Sequence, residues 1–122
     1  MDYKKLETFS DDRGTLVEAF KFPTDGQLFY VVAPPNQTRG NHYHKIKTEH
    51  FLVVYGSALM KVRDRKDKGV VRVELGGDNP MVVSVPPNHT HSITSGSDGC
   101  IFIVWVDTLF DYKKPDTFRE EV

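Results

Sequence analysis

Clusters of turn-forming residues cut this 122-residue chain into short apolar runs, and that punctuation limits the folds open to it. Asp11-Asp12-Arg13-Gly14, Pro23-Thr24-Asp25-Gly26, Pro34-Pro35-Asn36, Gly76-Gly77-Asp78-Asn79-Pro80 and Ser95-Gly96-Ser97-Asp98-Gly99 combine residues that turn a chain through free or preset φ and local hydrogen bonds. Between them, segments 15–20, 27–32, 50–55, 58–62, 70–75, 81–85 and 101–106 are rich in Val, Phe, Tyr and Ile and read as strands. Helix signals are weak. Short strands at this spacing predict an all-β sandwich or small barrel, and the length predicts one domain over residues 1–122. The run Arg63-Asp64-Arg65-Lys66-Asp67-Lys68-Gly69 reads as a solvated hairpin tip. The tail from Asp107 is expected to cap the barrel or reach a partner subunit.

Charge narrows the function classes. With 16 basic and 17 acidic residues the net charge is −1, without the basic excess that nucleic-acid or anionic-membrane binding needs. The longest apolar run, Cys100 to Val106, is too short to cross a bilayer. The opening residues Met1 to Glu7 lack a signal-type apolar region, so a cytoplasmic setting is expected. Cys100, the single cysteine, lies in the apolar run and is expected to be a small buried hydrophobe.

Four of the five histidines form two pairs, His42/His44 and His89/His91, and Glu49 follows the first pair by five residues. On an extended strand His-x-His places both imidazoles on one face, because side chains alternate with period 2. If an antiparallel hairpin follows His44, Glu49 returns beside it. Pro86-Pro87-Asn88 forms a turn that delivers a strand starting at His91. Three or four imidazoles and a carboxylate turned inward would bind a divalent cation, and the donor types suit Zn, Fe, Mn or Ni alike.

The spacing resembles the cupin superfamily. His42-x-His44, four residues, Glu49, six residues, Gly56 is the first cupin signature; Pro86-Pro87-Asn88-His89-Thr90-His91 is the second, with Asn88 at the usual Gly position. Asn tolerates positive φ better than most residues, so the turn can survive. The resemblance implies a cupin jelly roll (a double-stranded β-helix) whose metal ligands are His42, His44, Glu49 and His91. A narrower group is also similar. Asp12-Arg13-Gly14 with Glu18, Thr38-Arg39-Gly40-Asn41-His42-Tyr43-His44, Phe51-Leu52-Val53-Val54, Thr90-His91-Ser92-Ile93, Phe110-Asp111 and Pro115-Asp116-Thr117-Phe118 resemble the C-terminal cupin domain of CapF-type capsular-polysaccharide enzymes, which make UDP-N-acetyl-L-fucosamine. That resemblance implies a metal-dependent epimerase acting at C3, beside the C4 ketone of a UDP-4-keto-6-deoxy-N-acetylhexosamine, with zinc as the first choice of metal. No dinucleotide-binding segment is legible in the chain, so the reductase of such a pathway is expected on a separate polypeptide.

Epimerisation beside a ketone needs a base, an acid on the other face and a group that stabilises the enolate oxygen. The candidates for proton transfer are His89, Tyr43, Tyr30 and Lys47. His89 has the inward parity of His91, whereas Tyr43 and His50 have outward parity and suit packing. Arg39 resembles the arginine that sugar-nucleotide cupins place near substrate, and a guanidinium fork suits a diphosphate; Asn41 beside it is a second substrate-binding candidate. Trp105 reads as packing. The competing functions are a dTDP-4-keto-6-deoxyhexose 3,4-ketoisomerase, whose histidines act as acid and base without metal, a non-catalytic sugar-binding cupin, and a metal-dependent dioxygenase. A homodimer is expected, because pairing removes the unprotected sheet edge of a small barrel.

Overall fold

Along the chain the strands run β1 (Asp2–Lys5), β2 (Thr8–Asp11), β3 (Gly14–Val17), β4 (Gln27–Ala33), β5 (Thr38–Tyr43), β6 (Glu49–Asp64), β7 (Val70–Gly76), β8 (Met81–Val85), β9 (His89–Val106) and β10 (Phe118–Arg119). The structure, a computed structural model, describes residues 1–122 except 13, 18, 21–25, 110 and 112, and of 14–17 the backbone alone. No helix occurs among the described residues.

β6 and β9 are the spine. They pair antiparallel from Glu49↔Val106 to Asp64↔His89, interrupted where Gly56 opposes Cys100 and Ala58 opposes Ser95. Residues 96–99 of β9 thus face only Ser57, a bulge that bends both strands. On one side of the bend β4 adds to β9 (Ala33↔Cys100 to Gln27↔Val106), and β8 then β1 add to β6. On the other side β5 adds to β9 and β10 to β5, and β7 adds to β6. One hydrogen-bonded sheet thereby supplies two facing walls. β2 and β3 form a separate hairpin.

The bend departs from the expected pattern. Segments 50–55 and 58–62 are one strand rather than two, and the turn expected at 95–99 is the bulge inside β9. Gly56 has φ +75° and Gly99 φ +73°, a backbone that permits a sharp bend without ending the ladder. β1, β2 and β10 were not legible as apolar runs. Of the expected strand 15–20 the backbone forms β3 as far as Val17; the turn at 23–25 and Arg13, Glu18 and Phe110 of the matching motifs lie outside the described residues. Asn36 and Asn88 both have positive φ, near +56° and +61°.

Alternate residues of each strand face inward. Phe51, Val53, Met60, Val62, Val83, Val85, Phe102, Val104 and Val106 are buried in one apolar cluster, and Cys100 is buried with them. Trp105 sits outside that cluster, half-buried, with its ring 6.5 Å from that of Phe20. No helix of the described residues is long and apolar enough to cross a membrane.

The hairpin tip between β6 and β7 is exposed, as expected, and its flanking arginines make contacts the sequence did not indicate. Residues 66–68 are exposed, but Arg63 and Arg65 reach the C-terminal segment, where Arg65 lies 3.1 Å from Glu120 and Arg63 donates to the Glu121 carbonyl at 2.6 Å. The tail from Asp107 therefore returns to the barrel, and its β10 pairs with the free edge of β5 (Phe118↔Tyr43, Arg119↔His42).

Candidate functional site

His42, His44, Glu49 and His91 converge inside the barrel, with one ligand-type atom from each within 4.8 Å of all the others. Three elements position them. β5 carries a register shift between Gly40 and His42, with Gly40 at φ +98° and Asn41 at φ +54°, and the shift sets His42 opposite His91 of β9. A Cβ on Gly40 would lie 2.8 Å from the His91 carbonyl oxygen, so this close approach requires glycine. His44 follows β5, and Glu49 opens β6 on the other wall. β5 and β6 do not pair with each other; β5 pairs with β9 and β10, and β6 with β7, β8 and β9. The expected antiparallel hairpin is thus replaced by a crossover between walls. Glu49 still arrives beside His44, because the crossover is only five residues long.

The hydrogen bonds orient the rings. His44 Nδ1 lies 2.5 Å from the Asp116 carbonyl oxygen, and His91 Nδ1 lies 3.0 Å from the His89 carbonyl oxygen. A carbonyl only accepts, so each Nδ1 carries the proton. Each Nε2 then faces the same carboxylate oxygen, Glu49 Oε1, at 2.7 Å from His44 and 3.0 Å from His91. His91 Nε2 is buried and makes no well-formed hydrogen bond among the described residues despite that distance, so its lone pair is left for another partner. His42 meets both rings, at 4.8 Å between centroids. Two lone pairs aimed at an anionic oxygen, with backbone acceptors on the far side of each ring, form the donor set that a divalent cation takes.

Electrostatics agree with that geometry. Burial, then the neighbouring His91 and His44, lower the His42 pKa from 6.5 to about 4 despite the opposing charge of Glu49. Burial alone would raise Glu49, but the close His44 and His91 rings, His44 first, outweigh it and hold the carboxyl well below the usual carboxylate range. A pH dependence follows. Unfolded His42 takes up a proton near pH 6.5 and folded His42 only near 4, so the unfolded state binds more protons between these values. Metal-free protein should therefore lose stability as pH falls from 6.5 to 4, and further below 4.5 as unfolded Glu49 protonates. Thermal melts from pH 7.5 to 4.5 should show this fall, with a shallower slope between 6.5 and 4 for His42→Gln. A melting temperature flat across that window in the wild type would contradict it.

The cluster opens into a cavity of about 650 Å³. Phe29, Val31, Phe51, Ile93, Phe102 and Val104 supply apolar walls, and Thr38, Arg39, Asn41 and Arg119 polar ones. Arg39 and Asn41, both candidates for substrate binding, are thus at the cavity. Tyr30 also touches it but is 72 % exposed, on the opposite face of β4 from Phe29 and Val31. His89, Tyr43 and Lys47 do not line it. His89 keeps the parity of His91 but lies at the strand's start, where Nδ1 bonds the Pro87 carbonyl and Nε2 is 3.4 Å from the Met1 amine. Tyr43 stacks on Phe118 at 5.3 Å beneath Arg65. Lys47 stands in the crossover, near enough for its charge to depress His42. His50 bonds Ser84 on the outer side of β6. Arg119 was missed in the sequence, because a single arginine in a polar tail gives no signal until β10 is seen to pair with β5.

The chain has well-defined relatives. Residues 9–118 match the family model described as the polysaccharide biosynthesis C-terminal domain. Over 110 residues it is 39 % identical to a UDP-2-acetamido-2,6-beta-L-arabino-hexul-4-ose reductase of Pseudomonas aeruginosa, a match covering 89 % of this chain and 30 % of that protein. The capsular polysaccharide assembling protein CapF of Staphylococcus aureus superposes with a TM-score of 0.77 at 37 % identity, over 98 % of this chain and 33 % of CapF. This chain therefore spans about a third of the length of either protein. The dTDP-4-dehydrorhamnose 3,5-epimerase of Sulfolobus tokodaii superposes with a TM-score of 0.77 at 25 % identity, over 85 % of this chain and 68 % of the epimerase. By sequence and by its cupin barrel, this chain belongs to the family of the polysaccharide biosynthesis C-terminal domain.

Proposed function

We propose that this chain is a nucleotide-sugar epimerase of polysaccharide precursor synthesis that binds a divalent metal, zinc first, and inverts C3 of a UDP-4-keto-6-deoxy-N-acetylhexosamine. The observation that carries the reading is the His42, His44, Glu49 and His91 cluster, of which His42, Glu49 and His91 line a cavity whose polar lining includes two arginines. The CapF and 3,5-epimerase relatives support the same class of chemistry. When bound, the metal would supply Lewis-acid stabilisation of the charge that develops on the C4 oxygen. The apolar walls lower the local dielectric, which strengthens such electrostatic effects. Arg39 and Arg119 would hold the diphosphate and so fix the sugar over the cluster. Of the four proton-transfer candidates only Tyr30 touches the cavity, and it does so from the exposed outer face of β4, so this reading assigns the base to none of them. A reductase would complete the pathway on another polypeptide or domain.

One observation favours a second reading. His42 faces the cavity and is held neutral near pH 7 by its lowered pKa, which suits a general base. A 3,4-ketoisomerase acting without metal would use it so.

Proton exchange separates the readings. In deuterated water, the UDP-keto-sugar should gain deuterium at C3 with inverted configuration, and a chelator should abolish this. Exchange that survives chelation, with the carbonyl of a dTDP-keto-sugar moving from C4 to C3, would establish the isomerase. No exchange with either substrate would leave a sugar-binding module. Arg39→Ala and Arg119→Ala should each raise KM about tenfold or more, the loss of a charge-assisted hydrogen bond.

The same reading includes a homodimer. The outer face of β4 exposes Leu28, Tyr30 and Val32, which pair in register with Trp105, Ile103 and Ile101 of β9. A second copy covering this apolar strip would bury it. Light scattering should give about twice the chain mass of 13.9 kDa; a monomer would exclude the dimer.

A further inference from the structure

The C-terminal segment does more than close a sheet edge. Asp116 lies seventy-two residues beyond His44, and its side chain accepts three main-chain N–H bonds from the crossover that follows His44. Oδ1 takes Lys45 N at 2.8 Å, and Oδ2 takes Ile46 N at 2.9 Å and Lys47 N at 3.2 Å. Its own carbonyl oxygen accepts from His44 Nδ1 at 2.5 Å. One residue thus grips both the ring and the backbone that carries it. Burial works against the charge of Asp116, but the three amides outweigh it and lower its pKa.

Further contacts fasten the segment, and those of Glu120 are independent of that grip. Lys45, Phe118, Tyr43 and Arg65 form a sandwich, with Lys45 Nζ 4.3 Å from the Phe118 ring and the Arg65 guanidinium 3.8 Å from the Tyr43 ring. Glu120 bonds the Thr90 hydroxyl and pairs with Arg65, and its N–H donates to the Asn41 carbonyl at 3.0 Å. None of these contacts touches His44, so Asp116 can be altered while the segment stays docked.

We infer that Asp116 is a positioning residue for the metal site: by clamping residues 45–47 and accepting the Nδ1 proton of His44, it leaves His44 Nε2 as the lone pair aimed at the cation and sets its direction. The metal half of this inference rests on the reading of the site proposed above; the tautomer half does not. A carbonyl acceptor behind a ligating imidazole fixes its tautomer and orientation, and losing such an outer partner costs about 10–100-fold in metal affinity. Here the main-chain carbonyl survives any substitution at 116, so its placement depends on the carboxylate anchored in the crossover. Asparagine would keep one acceptor oxygen but turn an NH₂ toward a facing N–H, a partial loss.

The test uses Asp116→Ala, Asp116→Asn and, as a control on the fastening alone, Glu120→Gln. Long-range ¹H–¹⁵N NMR of metal-free protein reads the His44 tautomer. Titration with Co²⁺ against a chromophoric chelator reads affinity, and the d–d absorption reads coordination geometry. Wild type and Glu120→Gln should show His44 protonated at Nδ1 and equal Co²⁺ affinity. Asp116→Ala should mix the tautomers, weaken Co²⁺ about 10–100-fold and alter the d–d bands, with Asp116→Asn between. If Asp116→Ala does not fold, Asp116→Asn carries the comparison. Unchanged tautomer and affinity in the Asp116 variants, or equal losses in Glu120→Gln, would overturn the inference. If wild type takes up no Co²⁺, the metal reading fails by itself, and the tautomer shift still decides whether Asp116 positions His44.

Discussion

Glu49→Ala should abolish stoichiometric zinc or cobalt binding and remove the rise in melting temperature that metal gives the wild type. Glu49 Oε1 is the one atom that both His44 Nε2 and His91 Nε2 face. Removing it takes away the anionic donor and leaves two buried imidazoles aimed at a void. The loss should exceed the roughly 10–100-fold that an outer-shell partner costs. Glu49 stands on the wall of β6 and β8, and His42 and His91 on the wall of β5 and β9. A cation here would tie the two walls together. Ligand that binds only the folded state stabilises it by about 4 kcal/mol at a thousandfold excess over Kd, which is a shift of many degrees in a small domain. His91→Ala should behave alike. Elemental analysis after dialysis and paired melts with and without zinc check both. One equivalent of metal retained by both variants would falsify this ligand set.

Gly56→Ala should cost about 3–5 kcal/mol and leave the protein largely unfolded or insoluble. A Cβ at Gly56 would lie 2.1 Å from the Gly99 carbonyl oxygen and 3.0 Å from Cys100 Cα. Both are backbone at the bend of the spine, so neither can swing aside as a side chain could. The φ of +75° adds strain for any L-residue. Gly69→Ala is the control, since its Cβ would meet only Asp67 Oδ1 at 3.8 Å, and it should stay within about 0.5 kcal/mol of wild type. Urea unfolding of the pair decides the matter; near-native stability of Gly56→Ala would mean the bulge is not the constraint described.

Much of this was legible in the chain. Turn clusters and β-branched runs predicted an all-β barrel, because local propensity and period-2 burial act over a few residues. The resemblance to the cupin signatures implied His42, His44, Glu49 and His91, whose ligand atoms the structure brings within 4.8 Å of one another. Asn88 at a turn with positive φ was readable for the same local reason. Where local signals were equivocal, the reading slipped: Gly56 and the 95–99 cluster look like chain reversals, and whether such a stretch turns or bulges depends on a partner strand far along the chain.

What the sequence by itself determined is the repertoire: an all-β chain and the residue types and local spacing of a His/Glu group whose donors suit a metal. The tertiary structure alone decided which of those residues share a cavity. Parity made His89 a candidate, yet it falls at the strand's end, bonded to Pro87 and facing Met1. Arg119 carries no local signature and Asp116 belongs to a matching motif without a legible role, and both reach the site because β10 pairs with β5. The physical reason is range. Alternation and turn chemistry are settled by neighbours in the chain, whereas the contacts that complete this site, such as Asp116 with His44, join residues seventy or more positions apart and exist only once the strands have closed.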